Sequence, residues 1–241
     1  MKAFFIFSFF LLSLVSFSQE KVSFYAEDSL KITADLYLLE NRKPFIVLLH
    51  QAGSGRGEYN EIAPKLNKLG YNCLAVDLRS GQKSNSKQNE TAERAKEGKY
   101  PNKYLDAVRD IDASINYVRK FNKLPVVLFG SSYSASLALL QAAKSDEISA
   151  VIAFSPGEYF QPELEVREEI SSLNKPLFIA STKREYNYVK ELVADTNSEI
   201  SFFKPSEGDG VHGASALWEK SNASEECWLN LSFFFRKLKE I

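Results

Sequence analysis

Ser132 stands at the centre of Gly130-Ser131-Ser132-Tyr133-Ser134, where an apolar run, Val126 to Phe129, gives way within four residues to a helical pattern. A strand that turns sharply into a helix pushes the central side chain out at the sheet's carboxyl edge, and the positions two before and two after must be small. Gly130 meets that demand, and Ser134 is the smallest substitute after alanine. The first backbone N–H groups of such a helix lie beside the exposed hydroxyl, where they can hold a developing oxyanion. The plain alternative is that Ser131 and Ser132 only cap the helix. A serine alcohol is a poor nucleophile without a base, and the chain has two histidines, His50 and His212. His212 lies in Gly208-Asp-Gly-Val-His-Gly213, a glycine-rich turn after the last apolar strand, which can aim an imidazole across the sheet edge. The base needs a carboxylate to hold its tautomer, and the chain order serine, acid, histidine confines the search to residues 133–211. Glu185 follows the run Leu177–Ala180 at the carboxyl edge and is preferred. Glu158 leaves the preceding strand at the same edge and stays open as the alternative. Asp209, three residues before His212, reads as a turn residue. Together these groups suit nucleophilic acyl transfer.

Such a site needs a sheet whose strands end on one edge. Alternating patterns at Val22–Tyr25 and Ile32–Tyr37 are followed by continuous apolar runs at Phe45–Leu49, Cys73–Val76, Val126–Phe129, Ala150–Phe154, Leu177–Ala180 and Ile200–Phe203. Runs of this kind are buried on both faces of a parallel sheet. Between them lie helical stretches at about Glu58–Leu69, Tyr104–Phe121, Ser132–Lys144 and Tyr186–Ala194, and a last one at about Ser224–Lys239 closes the chain. The alternation predicts an α/β fold with a mostly parallel, doubly wound sheet of about eight strands. No repeat or linker divides residues 19–241, so one domain is expected. Residues 80–103 are polar and charged, and a loop of that length reads as a cover over the site or as a solvated excursion.

The 241 residues are 44% hydrophobic, with a net charge of −1. That is ample for a core, and it lacks the concentrated basic surface that nucleic acid demands. Two cysteines and two histidines exclude a Cys-rich zinc module or a multi-histidine metal site. No metal or organic cofactor has a visible site, since the glycine loop at 53–57 lacks the Lys-Ser/Thr ending of a P-loop. Residues 1–18 run from Lys2 through the apolar stretch Phe4–Val15 to Ser16 and Ser18. This is the order of a secretory signal peptide and is too short for a membrane span. Export to the periplasm or the exterior is therefore expected. Cys73 and Cys227 are expected as buried free thiols rather than a disulfide.

The segments LLHQAGSGRGEY (48–59), LAVDLRSG (74–81), LFGSSYSAS (128–136), AFSPGEY (153–159) and GDGVHG (208–213) resemble those of the α/β-hydrolase superfamily. The likeness is closest to small dienelactone-hydrolase-like and acyl-peptidase-like members, and it covers nearly all of residues 19–241. It implies an α/β-hydrolase fold and a serine hydrolase of small acyl compounds, with Ser132 as nucleophile and His212 as base. It also implies an oxyanion hole from the Ala52 and Tyr133 backbone N–H groups, and a structural role for Arg79. The family's usual aspartate after the Leu177–Ala180 strand is absent; Arg184 or Glu185 occupies its place. With the altered last position of the elbow, this leaves a second reading: a non-catalytic binding protein of the same fold.

Overall fold

Every side chain of Phe45-Ile-Val-Leu-Leu49 is buried, because alternate residues of a central strand face opposite layers of the core. Phe45, Val47 and Leu49 enter one apolar cluster, and Ile46 and Leu48 enter the other. The structure, a computed structural model, describes residues 18–239. Its strands are β1 (Ser18–Tyr25), β2 (Lys31–Leu38), β3 (Phe45–Leu49), β4 (Asn72–Val76), β5 (Val126–Ser131), β6 (Ile148–Phe154), β7 (Leu177–Ala180) and β8 (Ile200–Phe203). They form one eight-stranded sheet in the order β1-β2-β4-β3-β5-β6-β7-β8. β2 pairs antiparallel with β1 and β4, and the remaining neighbours are parallel. This is the mostly parallel, eight-stranded α/β sheet expected from the alternating pattern.

The helices are α1 (Ile62–Lys68), α2 (Glu90–Glu97), α3 (Val108–Val118), α4 (Tyr133–Lys144), α5 (Val166–Glu169), α6 (Tyr186–Leu192) and α7 (Ser224–Leu238). α1 and α7 cover one face through Ile62, Leu66, Leu231 and Phe234. The other face carries α2 to α6, through residues such as Ala95, Ile111, Leu137, Val166 and Val189. Parallel strands place all their carboxyl ends on one edge, and the loops that leave it carry the groups singled out above. Residues 1–17 of the expected signal segment lie outside the described residues; Ser18 opens β1. Among the described residues, no helix is long and apolar enough to cross a membrane.

Residues 80–103, expected as a cover over the site or as a solvated excursion, contain a helix. Their second half forms α2, which packs on β2, three strands away from β5. Asn89 caps the helix by accepting the Ala92 N–H at 2.8 Å, and Thr91 accepts the β2 backbone N–H of Thr33 at 2.9 Å. Arg56 is buried among Asp35, Asp77 and Glu90, which ties the loop after β3 to this helix. Part of the segment's polarity is thus spent on bonds to the domain, and the rest, Lys83, Ser86, Lys96 and Lys99 among it, is exposed. Its first residue, Ser80, touches the Tyr133 hydroxyl at 3.0 Å.

Candidate active site

β5 ends at Ser131 and α4 begins at Tyr133, so Ser132 alone makes the corner, with φ 59° and ψ −126°. A non-glycine residue at such a φ is strained and persists only where its surroundings over-determine it. Here the Ser132 N–H donates to the Phe154 carbonyl at 2.8 Å, and the Ser132 carbonyl accepts the Ala135 N–H at 2.9 Å. A Cβ at Gly130 would lie 2.4 Å from Ala135 Cα, so glycine is required there. Ser134 has room for its own side chain, and its hydroxyl donates to the Leu49 carbonyl at 2.7 Å while accepting the Ser131 N–H at 2.9 Å. The serine at the last elbow position therefore stitches the turn to β3 instead of opening it.

His212 comes from the loop between β8 and the 3₁₀ turn Ala214–Leu217. Its Nε2 lies 2.9 Å from Ser132 Oγ, and its Nδ1 lies 2.5 Å from Glu185 Oε1. Gly213 makes this approach possible: at φ +74°, a Cβ there would come 2.6 Å from both Gln51 Oε1 and Ser131 Oγ. The Nδ1 partner is a carboxylate oxygen, so Nδ1 carries the proton and Nε2 faces the serine as an acceptor. The His212 side chain keeps 42% of its surface exposed, which leaves this side of the row open to water.

Glu185 is presented by Thr182-Lys-Arg-Glu185, which closes on itself. The Thr182 N–H donates to Glu185 Oε2 at 3.1 Å, and the Glu185 N–H donates to Thr182 Oγ1 at 3.2 Å. This is the reciprocal pairing of a capping box at the entrance to α6. Burial disfavours the charged carboxylate, but hydrogen bonds from His212, the Ser155 hydroxyl and the Thr182 N–H outweigh it and hold the group down at about 2. The longer side chain reaches His212 from the place where the family's aspartate is missing.

The alternative acid Glu158 and the turn residue Asp209 have other partners. Glu158 accepts the Val166 and Arg167 N–H groups at 2.6 and 2.8 Å and so caps α5. Asp209 pairs with Arg184 through both its backbone N–H and its side chain, at 3.1 and 3.2 Å, and binds the His212 loop to the loop that carries Glu185. His50 is fully buried. Its Nδ1–H donates to the Gln51 carbonyl at 2.8 Å, and its Nε2 accepts the Leu78 N–H at 2.9 Å. Burial depresses it to about 4, so it is a neutral bracket for the loop after β3. Arg79, fully buried, pairs with Asp28 and Asp110.

Because a trans peptide points its C=O and N–H in opposite directions, fixing the Gln51 carbonyl on His50 aims the Ala52 N–H the other way. Among the described residues, neither that N–H nor the Tyr133 N–H donates to another protein group. Three more side chains meet the site. Ser155, at φ 53°, donates its hydroxyl to Glu185 at 2.7 Å and accepts the Gly213 N–H at 3.2 Å. The Tyr159 hydroxyl donates to the Ser155 carbonyl at 3.0 Å and lies beside Ser132. Glu58 accepts the Gln51 N–H at 3.0 Å. No group of three or more His, Cys, Asp or Glu among the described residues is placed to hold a metal ion.

The sequence profile of the dienelactone hydrolase family matches residues 32–204. No curated protein matches the chain significantly in sequence. Among solved structures, an esterase of Pyrococcus furiosus superposes with a TM-score of 0.70 at 20% identity, covering 92% of this chain and 93% of its own. The dienelactone hydrolase of Anabaena variabilis gives 0.67 at 16% identity, over 91% and 97% of the two chains. The acylaminoacyl peptidase of Pyrococcus horikoshii gives 0.63 at 18% identity, over 94% of this chain and 43% of that longer one.

Proposed function

Since the chain belongs to the dienelactone hydrolase family and is a serine hydrolase of the carboxylic-ester type, we propose that it cleaves small carboxylic esters through Ser132, His212 and Glu185. One observation carries the reading: the unbroken row from Ser132 Oγ to His212 Nε2 at 2.9 Å and from His212 Nδ1 to Glu185 Oε1 at 2.5 Å. His212 Nε2 takes the hydroxyl proton as Ser132 Oγ bonds to the ester carbonyl carbon. The tetrahedral oxyanion sits between the Ala52 and Tyr133 N–H groups, where fixed donors stabilise the transition state more than the ground state. As it collapses, the C–O bond to the alcohol breaks and His212 returns the proton to the departing oxygen, leaving an acyl-enzyme on Ser132. Water, deprotonated by the same imidazole, then attacks the acyl carbon and releases the acid. Glu185 stabilises the imidazolium at both stages.

A fluorophosphonate probe tests this directly. Labelling of the wild type that is lost in Ser132→Ala, together with turnover of p-nitrophenyl esters, supports the enzyme. A folded wild-type protein that neither labels nor turns over belongs to the second reading, the binding protein. Residues 1–18 are the export signal in this proposal, and the enzyme works in the periplasm or outside the cell. The order of charged, apolar and small residues supports this.

A further inference from the structure

Under the loop that carries Ala52 lies a carboxyl group with no part in the proposed chemistry. Glu58 belongs to the 3₁₀ turn Arg56–Tyr59 and is 0% exposed. Burying a carboxyl without partners is costly, so its contacts bear on what it does. Oε2 accepts the Gln51 backbone N–H at 3.0 Å, while the equally buried Oε1 has no hydrogen-bond partner among the described residues. The Ser131 and Ser54 hydroxyls flank the group. Ser131 directly precedes the nucleophile, and its Oγ accepts the Ala214 N–H, two residues beyond His212, at 2.8 Å. The Glu58 carbonyl accepts the Trp218 indole N–H at 2.8 Å, just past the 3₁₀ turn that follows His212. One residue thus touches the loop after β3, the elbow and the histidine loop.

We propose that Glu58 is a positioning residue that holds the Gln51 peptide and so aims the Ala52 N–H at the oxyanion, while keeping the elbow and the His212 loop in register. His50 fixes the Gln51 carbonyl; Glu58 fixes the preceding peptide, and two consecutive planes held in this way cannot rotate independently. Burial pushes the Glu58 carboxyl up, against the Gln51 N–H and the neighbouring Ser131 and Ser54 hydroxyls. Glutamine keeps the shape of the side chain and an acceptor for the Gln51 N–H, and puts an amide toward the serines. Leucine keeps the volume and removes every polar contact.

The inference rests on the catalytic reading above, and the experiment separates the two. Wild type, Ser132→Ala, Glu58→Leu, Glu58→Ala and Glu58→Gln are assayed on one p-nitrophenyl ester. Rates are expressed per folded molecule, and hydrogen exchange is followed across residues 50–57. Ser132→Ala reports on the catalytic reading alone: turnover that persists there overturns it. For Glu58, the expected result is that Leu and Ala lower kcat about 10- to 100-fold, as misaimed oxyanion donors do. KM stays within about threefold, since a contact made only in the transition state is lost. Exchange across 50–57 quickens, and Gln returns kcat to within about threefold of wild type. Glu58→Leu that folds, keeps wild-type kcat and leaves exchange across 50–57 unchanged overturns the proposal. So does a loss confined to stability, or a Gln variant as impaired as Leu.

Discussion

Glu158 and Glu185 leave the same edge of the sheet one strand apart, and their surroundings assign them opposite duties. Glu158 is spent on the two N–H groups that open α5, while Glu185 has one oxygen on His212 and the other on Ser155 and Thr182. Glu185→Gln is expected to lower kcat by about 10³- to 10⁴-fold, as loss of the tautomer-holding carboxylate does in serine hydrolases. Glu158→Gln should stay within about threefold, because a glutamine oxygen still caps a helix. Steady-state kinetics of the two variants decide it, and the reverse order would reassign the acid. Folding carries the same asymmetry. The Glu185 carboxyl is held at about 2 against an ordinary 4.5, so the folded chain binds its proton later than the unfolded one. Its contribution to stability is therefore whole above about pH 4.5 and is lost as pH falls toward 2. Urea midpoints between those values should fall less steeply in Glu185→Gln than in wild type; parallel slopes would contradict the linkage. That Ser132 and His212 would meet was legible because both lie in local patterns, a strand-turn-helix and a glycine-rich turn. Ser155 was not, because its part depends on a left-handed backbone at the end of β6 and on the β7 loop lying next to it.

Elements were legible where apolar periodicity carried them. The continuous runs of β3, β4, β5, β6 and β7 are buried on both faces, and such runs have few alternatives to a central parallel strand. α2 escaped notice because it turns only Thr91 and Ala95, one helical turn apart, into the protein. That leaves no apolar stripe to read. Its terminal signals were present all the same: Asn89 at the cap, Glu90 and Glu93 in the first turn, Arg94 and Lys96 in the last, and Gly98 beyond. Four-residue α5 is too short for any period to show. The embedding of α2 makes the cap a structural hinge-pin: Asn89 Oδ1 accepts from Ala92, while its amide lies 3.2 Å from His50 Nε2 and donates to the Leu78 carbonyl at 3.0 Å. Asn89→Ala removes a helix cap and leaves a buried carbonyl short of a donor. It should cost about 2–4 kcal/mol, the sum of those two effects. Chemical denaturation measures it. A variant as stable as wild type would return residues 80–103 to a loosely held excursion.

For the molecule as a whole, the proposed export and the two cysteines make opposing demands that burial reconciles. An oxidising compartment favours disulfides, yet Cys73 and Cys227 are both free. They share one apolar cluster, the layer that α1 and α7 build against β3 and β4. Thiol–disulfide exchange needs a thiolate and access. Burial pushes both thiols well above their ordinary value, and neither exposes any surface. The folded domain thus protects its thiols by the same packing that positions the sheet edge, with no need of a reducing cytoplasm. Protein recovered from outside the cytoplasm should begin at Gln19, the cut expected after Ser18. It should give no reaction with a thiol reagent while native and two thiols per chain in denaturant. One mass spectrum and one titration read both numbers. A denatured count of zero would mean that oxidation overtakes folding and joins residues 73 and 227. An intact Met1 would remove the export proposal and leave the hydrolase standing on its site alone.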